Sequence, residues 1–259
     1  MEYTNSKMVV YKRLSPNHSG RRTHSIDRIT PHCVVGQCTA EGLGGWFAQV
    51  STQASSNYGI DKDGRVGLYV EEKNRSWCSS SNANDQRAVT IECASDTKEP
   101  YAMNSKVYAT LVKLCVDICK RNGKKKLLWF GDKAKTLNYT PKPDEMLLTV
   151  HRWFANKSCP GNWLYSRLGK LATEVTKQLG GKTTNSTTSK TMVPFLVRVD
   201  IDDLNIRKGA GTNYARTGKY TGKGTFTIVQ VKTGKGSDAG WGKLKSGAGW
   251  ISLDYAKRI

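Results

Sequence analysis

The stretch GGKTTNSTTSKTMVP, residues 180–194, constrains what this chain can fold into more than any other segment. It is rich in Gly, Ser, Thr and Asn and has no apolar periodicity, so it reads as a flexible linker. It divides 259 residues into a larger N-terminal domain, residues 1–179, and a C-terminal module, residues 195–259. The smaller piece is still large enough to fold by itself. A hydrophobic content of 37% against 24% charged residues excludes a disordered chain. No apolar run approaches the ~20 residues that span a bilayer, so no transmembrane segment is expected. The N-terminus, MEYTNSKMVVYKRLSPNHSG, lacks the apolar core of a secretory signal. Synthesis in the cytoplasm without a signal peptide is the expectation.

The two pieces have different patterns. In the first, strand-like runs cover Ser25–His32, Ser56–Ile60, Val66–Val70, Ala88–Cys93, Lys126–Phe130 and Leu147–His151. Asp63-Gly64, between two of them, is a hairpin signal. Helix-like runs cover Ala40–Ser51, Asn104–Arg121 and Asn162–Leu179; in the second, Val107, Leu111, Leu114 and Ile118 recur at helical spacing and Asn122-Gly123 stops it. This predicts an α/β domain, a mixed central sheet flanked by helices. The C-terminal module has short alternating stretches broken by glycines, the pattern of a small all-β barrel.

The formal charge of +20 is spread over both pieces, about +7 of it in residues 194–259. Both should be drawn to polyanions. No RNP, zinc-finger or helix-turn-helix pattern accompanies the charge, so no nucleic-acid partner is expected and anionic cell-wall polymers are favoured.

The candidate chemistry starts from HRWFANKSCPG, which holds His151, Lys157 and Cys159. Imidazole nitrogen and thiolate sulfur are zinc ligands, and a catalytic zinc takes three protein ligands with a fourth position open. A lysine beside such a site puts positive charge where an oxyanion forms. His32, at the end of SIDRITPH, is the other histidine at a strand end; His18 and His24 lie in a polar, basic segment. Cys33 with Cys38, and Cys115 with Cys119, are rival ligand pairs by spacing, although the latter fall one helical turn apart where small core residues belong. Glu92 sits inside the apolar run AVTIECAS. Burial would raise its pKa toward that of a general base; pairing with a lysine or arginine at a strand edge is the alternative.

Taken in order, ITPH, SNYGIDKDGRV, RSWCSS, VTIECAS and LLTVH followed by KSCPG resemble the zinc N-acetylmuramoyl-L-alanine amidases, whose fold is shared with peptidoglycan recognition proteins and many phage endolysins. The resemblance covers roughly residues 20–175. It implies one zinc ion on His32, His151 and Cys159, with Glu92 and Lys157 as catalytic residues. It implies cleavage of the amide between N-acetylmuramic acid and the L-alanine of the stem peptide in bacterial peptidoglycan. Asn57, Trp77 and Cys78 fall at expected substrate-binding positions, but Ser56-Asn57-Tyr58 and Trp77-Cys78-Ser79-Ser80 depart from the family pattern. Counting back from Asp63-Gly64 gives Tyr58 no catalytic role. The C-terminal module resembles bacterial SH3-type wall-binding domains through Leu204-Asn205-Ile206-Arg207 and Gly249-Trp250-Ile251; Tyr214, Tyr220, Trp241 and Trp250 would line its wall-binding groove, or else be core. The whole looks like a bacteriolytic endolysin that acts on the wall after release, or an autolysin. The alternatives are a zinc peptidase cutting within the stem peptide and a non-catalytic peptidoglycan-binding protein.

Overall fold

The computed structural model describes residues 3–180 and 193–259. Backbone contacts group the chain into two compact units, Met1–Thr184 and Asn185–Ile259, and each is described by itself. The expected linker, residues 180–194, lies almost wholly outside the described residues.

The elements of the first unit are β1 (Val9–Lys12), β2 (His18–Arg21), β3 (Arg28–Cys33), α1 (Ala40–Phe47), β4 (Tyr58–Ile60), β5 (Val66–Leu68), β6 (Asn74–Ser76), α2 (Asn82–Asp85), β7 (Ala88–Cys93), α3 (Ser105–Arg121), β8 (Lys126–Leu128), α4 (Lys133–Asn138), β9 (Glu145–Leu148), α5 (Gly161–Tyr165) and α6 (Leu168–Gln178). Seven strands form one mixed sheet in the order β1-β5-β4-β7-β3-β9-β8, while β2 and β6 pair separately. Only β4 and β5 run antiparallel to each other; the other neighbours in the large sheet are parallel. Parallel strands are covered on both faces, and all six residues of β3 are accordingly buried.

The β4–β5 turn forms where Asp63-Gly64 marks it. Asp61 Oδ1 accepts from the backbone N–H groups of Asp63 and Arg65 at 2.9 and 2.8 Å. Gly64 has φ +82°, and a Cβ there would stand 3.2 Å from the Lys106 carbonyl oxygen, so glycine fits for both reasons.

Helix α3 covers one face of the sheet with a stripe of buried Val107, Leu111, Leu114, Cys115, Ile118 and Cys119. Asn104 caps it, its side chain accepting from Val107 N–H at 3.0 Å, and Lys120 and Arg121 complement the dipole of the last turn. Cys115 and Cys119 are thus core thiols on this stripe. The run Asn162–Leu179 makes two helices, α5 and α6, because the Arg167 N–H bonds three residues back to Leu164 and tightens the chain between them. The run Leu147–His151 begins earlier and ends earlier than its sequence pattern: β9 stops at Leu148, and His151 opens a short 3₁₀ turn, His151–Trp153.

The second unit is all β: β10 (Phe195–Val199), β11 (Asn205–Arg207), β12 (Arg216–Tyr220), β13 (Gly224–Gly234), β14 (Ser237–Leu244), β15 (Trp250–Ser252) and β16 (Ala256–Arg258). They form a seven-stranded sheet in the order β12-β11-β15-β14-β13-β10-β16, with antiparallel pairings throughout. Val197, Val199, Ile206, Ile228, Leu244 and Ile251 centre its core. Among the described residues of both units, no helix is long and apolar enough to cross a membrane.

Candidate metal centre and catalytic cleft

Because β3, β7 and β9 are parallel neighbours, their carboxyl ends open on the same edge of the sheet, where ligands bind in such folds. Residues of β3 alternate between faces, so Thr30 and His32 share one and Ile29 takes the other. Glu92 stands directly beside His32 in the β3–β7 register. The turn after β9 brings in His151, and the following loop returns Cys159.

These residues converge. Cys159 Sγ lies 3.3 Å from His32 Nδ1, and the His32 and His151 rings are 5.1 Å apart at 60°. One ligand atom from each of His32, His151 and Cys159 lies within 4.8 Å of the others. Tetrahedral zinc with bonds of 2.0–2.3 Å separates its ligand atoms by roughly 3.3–3.8 Å, so small side-chain rotations suffice to close this set on an ion. The donor chemistry agrees. Burial, then the neighbouring His151, holds His32 well below the usual histidine pKa, and burial, then Lys157, lowers His151. Both imidazoles are therefore neutral at pH 7, the form that binds metal. His32 is 1% exposed, and its Nε2 is buried without a hydrogen-bond partner among the described residues. The Cys159 thiol is pushed well up by its hydrogen bond with Cys33, by burial and by Glu92. A cation would reverse that tendency, since coordination deprotonates a thiol. The residues fit a zinc ion.

Glu92 is not the paired strand-edge glutamate of the alternative reading. It lies on β7, inside the sheet between β4 and β3, and its Oε1 is 3.8 Å from both His32 Nδ1 and Cys78 Sγ. Its Oε2 is buried and has no hydrogen-bond partner among the described residues. Burial pushes its pKa up to about 7, against a smaller opposing contribution from the Cys78 thiol. A carboxyl group at that value exchanges protons readily at neutral pH. His32, Cys78 and Glu92 form a second cluster of potential ligand atoms, also within 4.8 Å of one another. Neither Cys33–Cys38 nor Cys115–Cys119 belongs to such a cluster among the described residues.

A cleft of about 550 Å³ opens on this centre, with Trp46, Trp77, Cys78, Glu92, His151 and Lys157 in its walls. Lys157 is exposed at its rim. The Ser80 hydroxyl lies 3.0 Å from His151 Nε2. Below it, Asp85 accepts from the backbone N–H groups of Cys78 and Ser79 at 3.1 and 3.0 Å and from the Ser79 hydroxyl at 2.6 Å. Asn84 donates to Ser79 and to Thr30 and accepts from Thr149, tying the Cys78 loop to β3 and to the end of β9. Sequence reasoning missed Ser80, Asn84 and Asp85. The one local signal for them is Ser81 as a helix cap, its hydroxyl accepting from Asn84 N–H.

Of the expected substrate residues, Trp77 and Cys78 line the cleft. Asn57 does not. It is fully buried, accepting from Arg22 and from the Thr90 N–H and donating to the Val70 carbonyl, so its amide is used up holding strands together. Tyr58 is likewise buried, donating to Glu72 at 2.7 Å. In the second unit Tyr214 and Tyr220 are 48% and 56% exposed, whereas Trp241 and Trp250 are buried. The two tryptophans are not open groove walls: Arg207 lies over the Trp241 ring at 5.9 Å and Lys232 over the Trp250 ring at 5.6 Å.

A family model described as N-acetylmuramoyl-L-alanine amidase matches residues 22–162, more than half of the chain. Solved structures similar to it include PlyL, at 15% identity and TM-score 0.45, covering 68% of this chain and 97% of that one. A selenomethionine AmpD derivative is similar at 16% identity and TM-score 0.47, covering 67% and 100%. The catalytic domain of XlyA is similar at 12% identity and TM-score 0.44, covering 64% and 97%. No curated protein matches the chain at a significant level.

Proposed function

This chain belongs to the N-acetylmuramoyl-L-alanine amidase family, and from that premise we propose that it cuts peptidoglycan between N-acetylmuramic acid and the L-alanine of the stem peptide by a zinc-assisted hydrolysis. The observation that carries the mechanism is a half-buried carboxylate, Glu92, standing 3.8 Å from one imidazole of a three-donor set, with no lysine or arginine paired to it among the described residues. In this reading His32, His151 and Cys159 hold the metal. Zinc bound there supplies Lewis acidity at the scissile amide.

The remaining steps belong to the chain's own groups. Glu92 takes a proton from the attacking water as the water oxygen bonds to the amide carbon. The same carboxyl then hands that proton to the departing alanine nitrogen as the carbon–nitrogen bond breaks. In the metal-free chain burial raises the Glu92 pKa, which makes this carboxylate a better proton acceptor than an exposed glutamate. The Lys157 ammonium faces the negative charge that develops on the former carbonyl oxygen. Trp77 and Cys78 bound the substrate beside Glu92.

The division of labour proposed for the chain is a catalytic domain over residues 1–179, a linker over 180–194 and an SH3-type wall-binding domain over 195–259. The strongly basic charge supports attraction to anionic wall polymers, and tethering would raise the enzyme's concentration at an insoluble substrate. Exposed Tyr214 and Tyr220 are the aromatic contacts proposed for it. The proposed setting is that of an endolysin, acting on the wall after release.

Digestion of purified sacculi with product analysis tests the reaction. The expected products carry a new N-terminal L-alanine and no new reducing sugar. New termini inside the stem peptide would instead mean a peptidase.

A further inference from the structure

A second cleft, of about 470 Å³, adjoins the first: Ser80 and Ser81 line both. Its walls include Trp153 and Phe154, Lys133 stands on its rim, and Arg28 and Asn84 line it from the buried interior. Arg28 is the anomaly. It is 5% exposed, yet among the described residues its guanidinium makes one hydrogen bond, from Nη1 to Asn84 Oδ1 at 3.2 Å. Its Nε is buried and has no partner among the described residues, and no carboxylate among them forms an ion pair with it. Its sequence neighbour Asp27 is occupied by Arg87, which donates to it through Nε and Nη2.

A buried guanidinium without a counter-ion is expensive, since desolvation is not offset by a paired charge. Burial, and after it the like charge of Arg87, pushes the Arg28 pKa down to about 10, against a smaller upward pull from Asp27. Such a group opening on a cleft is a fork-shaped donor for a carboxylate. We infer that Arg28 forms an anion-binding subsite for the terminal carboxylate of the substrate's stem peptide, a specificity determinant separate from the metal centre. The inference rests on the amidase reading for the identity of that peptide.

Geometry and chemistry favour this occupant. Arg28 and His32 project from the same face of β3 four residues apart, which separates their Cα atoms by roughly 13 Å. An extended peptide starting at the scissile amide covers that span in about three to four residues. On the other side of that amide the glycan is neutral, because its lactyl carboxyl is the one joined to alanine. The carboxylates lie on the peptide side, and the second cleft joins the first, so anion and scissile bond belong to one molecule.

The test compares an N-acetylmuramoyl-tetrapeptide carrying a free terminal carboxylate with the same compound ending in a carboxamide. The full, zinc-loaded chain should prefer the free acid by about 10- to 100-fold in kcat/KM, the range of a charge-assisted hydrogen bond. Arg28→Gln should bring that ratio to within about two-fold of one. A wild-type ratio near one, or a ratio that Arg28→Gln leaves unchanged, would overturn the subsite. If thermal melting shows that Arg28→Gln does not fold, Arg28→Lys keeps the charge and loses the fork; its ratio should fall at least about three-fold, and an unchanged ratio has the same adverse meaning. Should the wild type cleave neither compound, the amidase reading falls. Calorimetric binding of the two compounds then decides the subsite alone: acid preference lost with Arg28 supports it, and equal binding of both compounds refutes it.

Discussion

The pocket around His32 has two sides, and they differ in what surrounds the sulfur. On one, Cys159 lies 3.3 Å from His32 Nδ1, in the same cluster as a second, neutral imidazole, His151. On the other, Cys78 lies against Glu92 at 3.8 Å, and its backbone N–H is held by Asp85. Both sides bring three potential ligands within 4.8 Å, so proximity alone does not choose between them. Donor chemistry does. The Cys159 side offers two neutral imidazoles and a thiol, a set suited to zinc. The Cys78 side spends its carboxylate on a site where burial holds a proton near neutral pH. In the proposed mechanism, one histidine thus joins a place to hold a metal to a place to move a proton.

The contrast is broken most forcefully by Glu92→Gln. It should lower kcat by roughly 10²–10⁴-fold, the usual weight of general acid–base catalysis, while leaving zinc content unchanged. Turnover near the wild-type rate would take Glu92 out of the mechanism, and loss of zinc would make it a ligand.

The same substitution sharpens the contrast through stability. In the metal-free chain the Glu92 pKa is raised from 4.5 to about 7, so the folded state binds this proton more tightly than the unfolded state does. The stabilising contribution is fully present below the unfolded value and is lost as pH rises through about 7. Metal-free Glu92→Gln should therefore gain on the wild type between pH 4.5 and 8, by up to about 3 kcal/mol. Denaturant titrations at several pH values measure it; a difference independent of pH would show that Glu92 is not held protonated.

A smaller effect is expected on the other side. Lys157→Met should reduce kcat/KM by about 10-fold, below the 10²–10³ of a buried oxyanion donor, because Lys157 is exposed and screened. Its loss should weaken as salt is added to the wild type, and a salt-independent difference would argue for packing instead of charge.

The residues that the structure brings together, His32, His151, Cys159 and Glu92, were legible in the sequence because the order of their motifs resembles a known family; residue chemistry alone left rival cysteine pairs and a paired Glu92 open. Their placement was less so. His151 reads as the end of a strand, yet the chain leaves the sheet at Leu148 and presents the imidazole from a 3₁₀ turn; local pattern does not separate those cases. The support beneath the site was not legible at all. Thr30, Asn84, Thr149 and Asp85 are bonded across 54 to 65 residues or through the Cys78 loop, and such pairings exist only once strands are assembled. Asn57 misleads for the same reason: a polar residue in a motif suggests a ligand contact, whereas tertiary packing buries it against Arg22 and Thr90. In the second unit, Trp241 and Trp250 look like wall contacts until the sheet forms around them and buries both.

The claim that one side of His32 holds metal and the other moves protons is tested most directly by zinc content per chain. Elemental analysis of the wild type, Cys159→Ser and Cys78→Ser after dialysis against trace zinc distinguishes the two sulfurs. The account predicts one zinc in the wild type and in Cys78→Ser, with little or none in Cys159→Ser. Zinc retained by Cys159→Ser and lost from Cys78→Ser would contradict it.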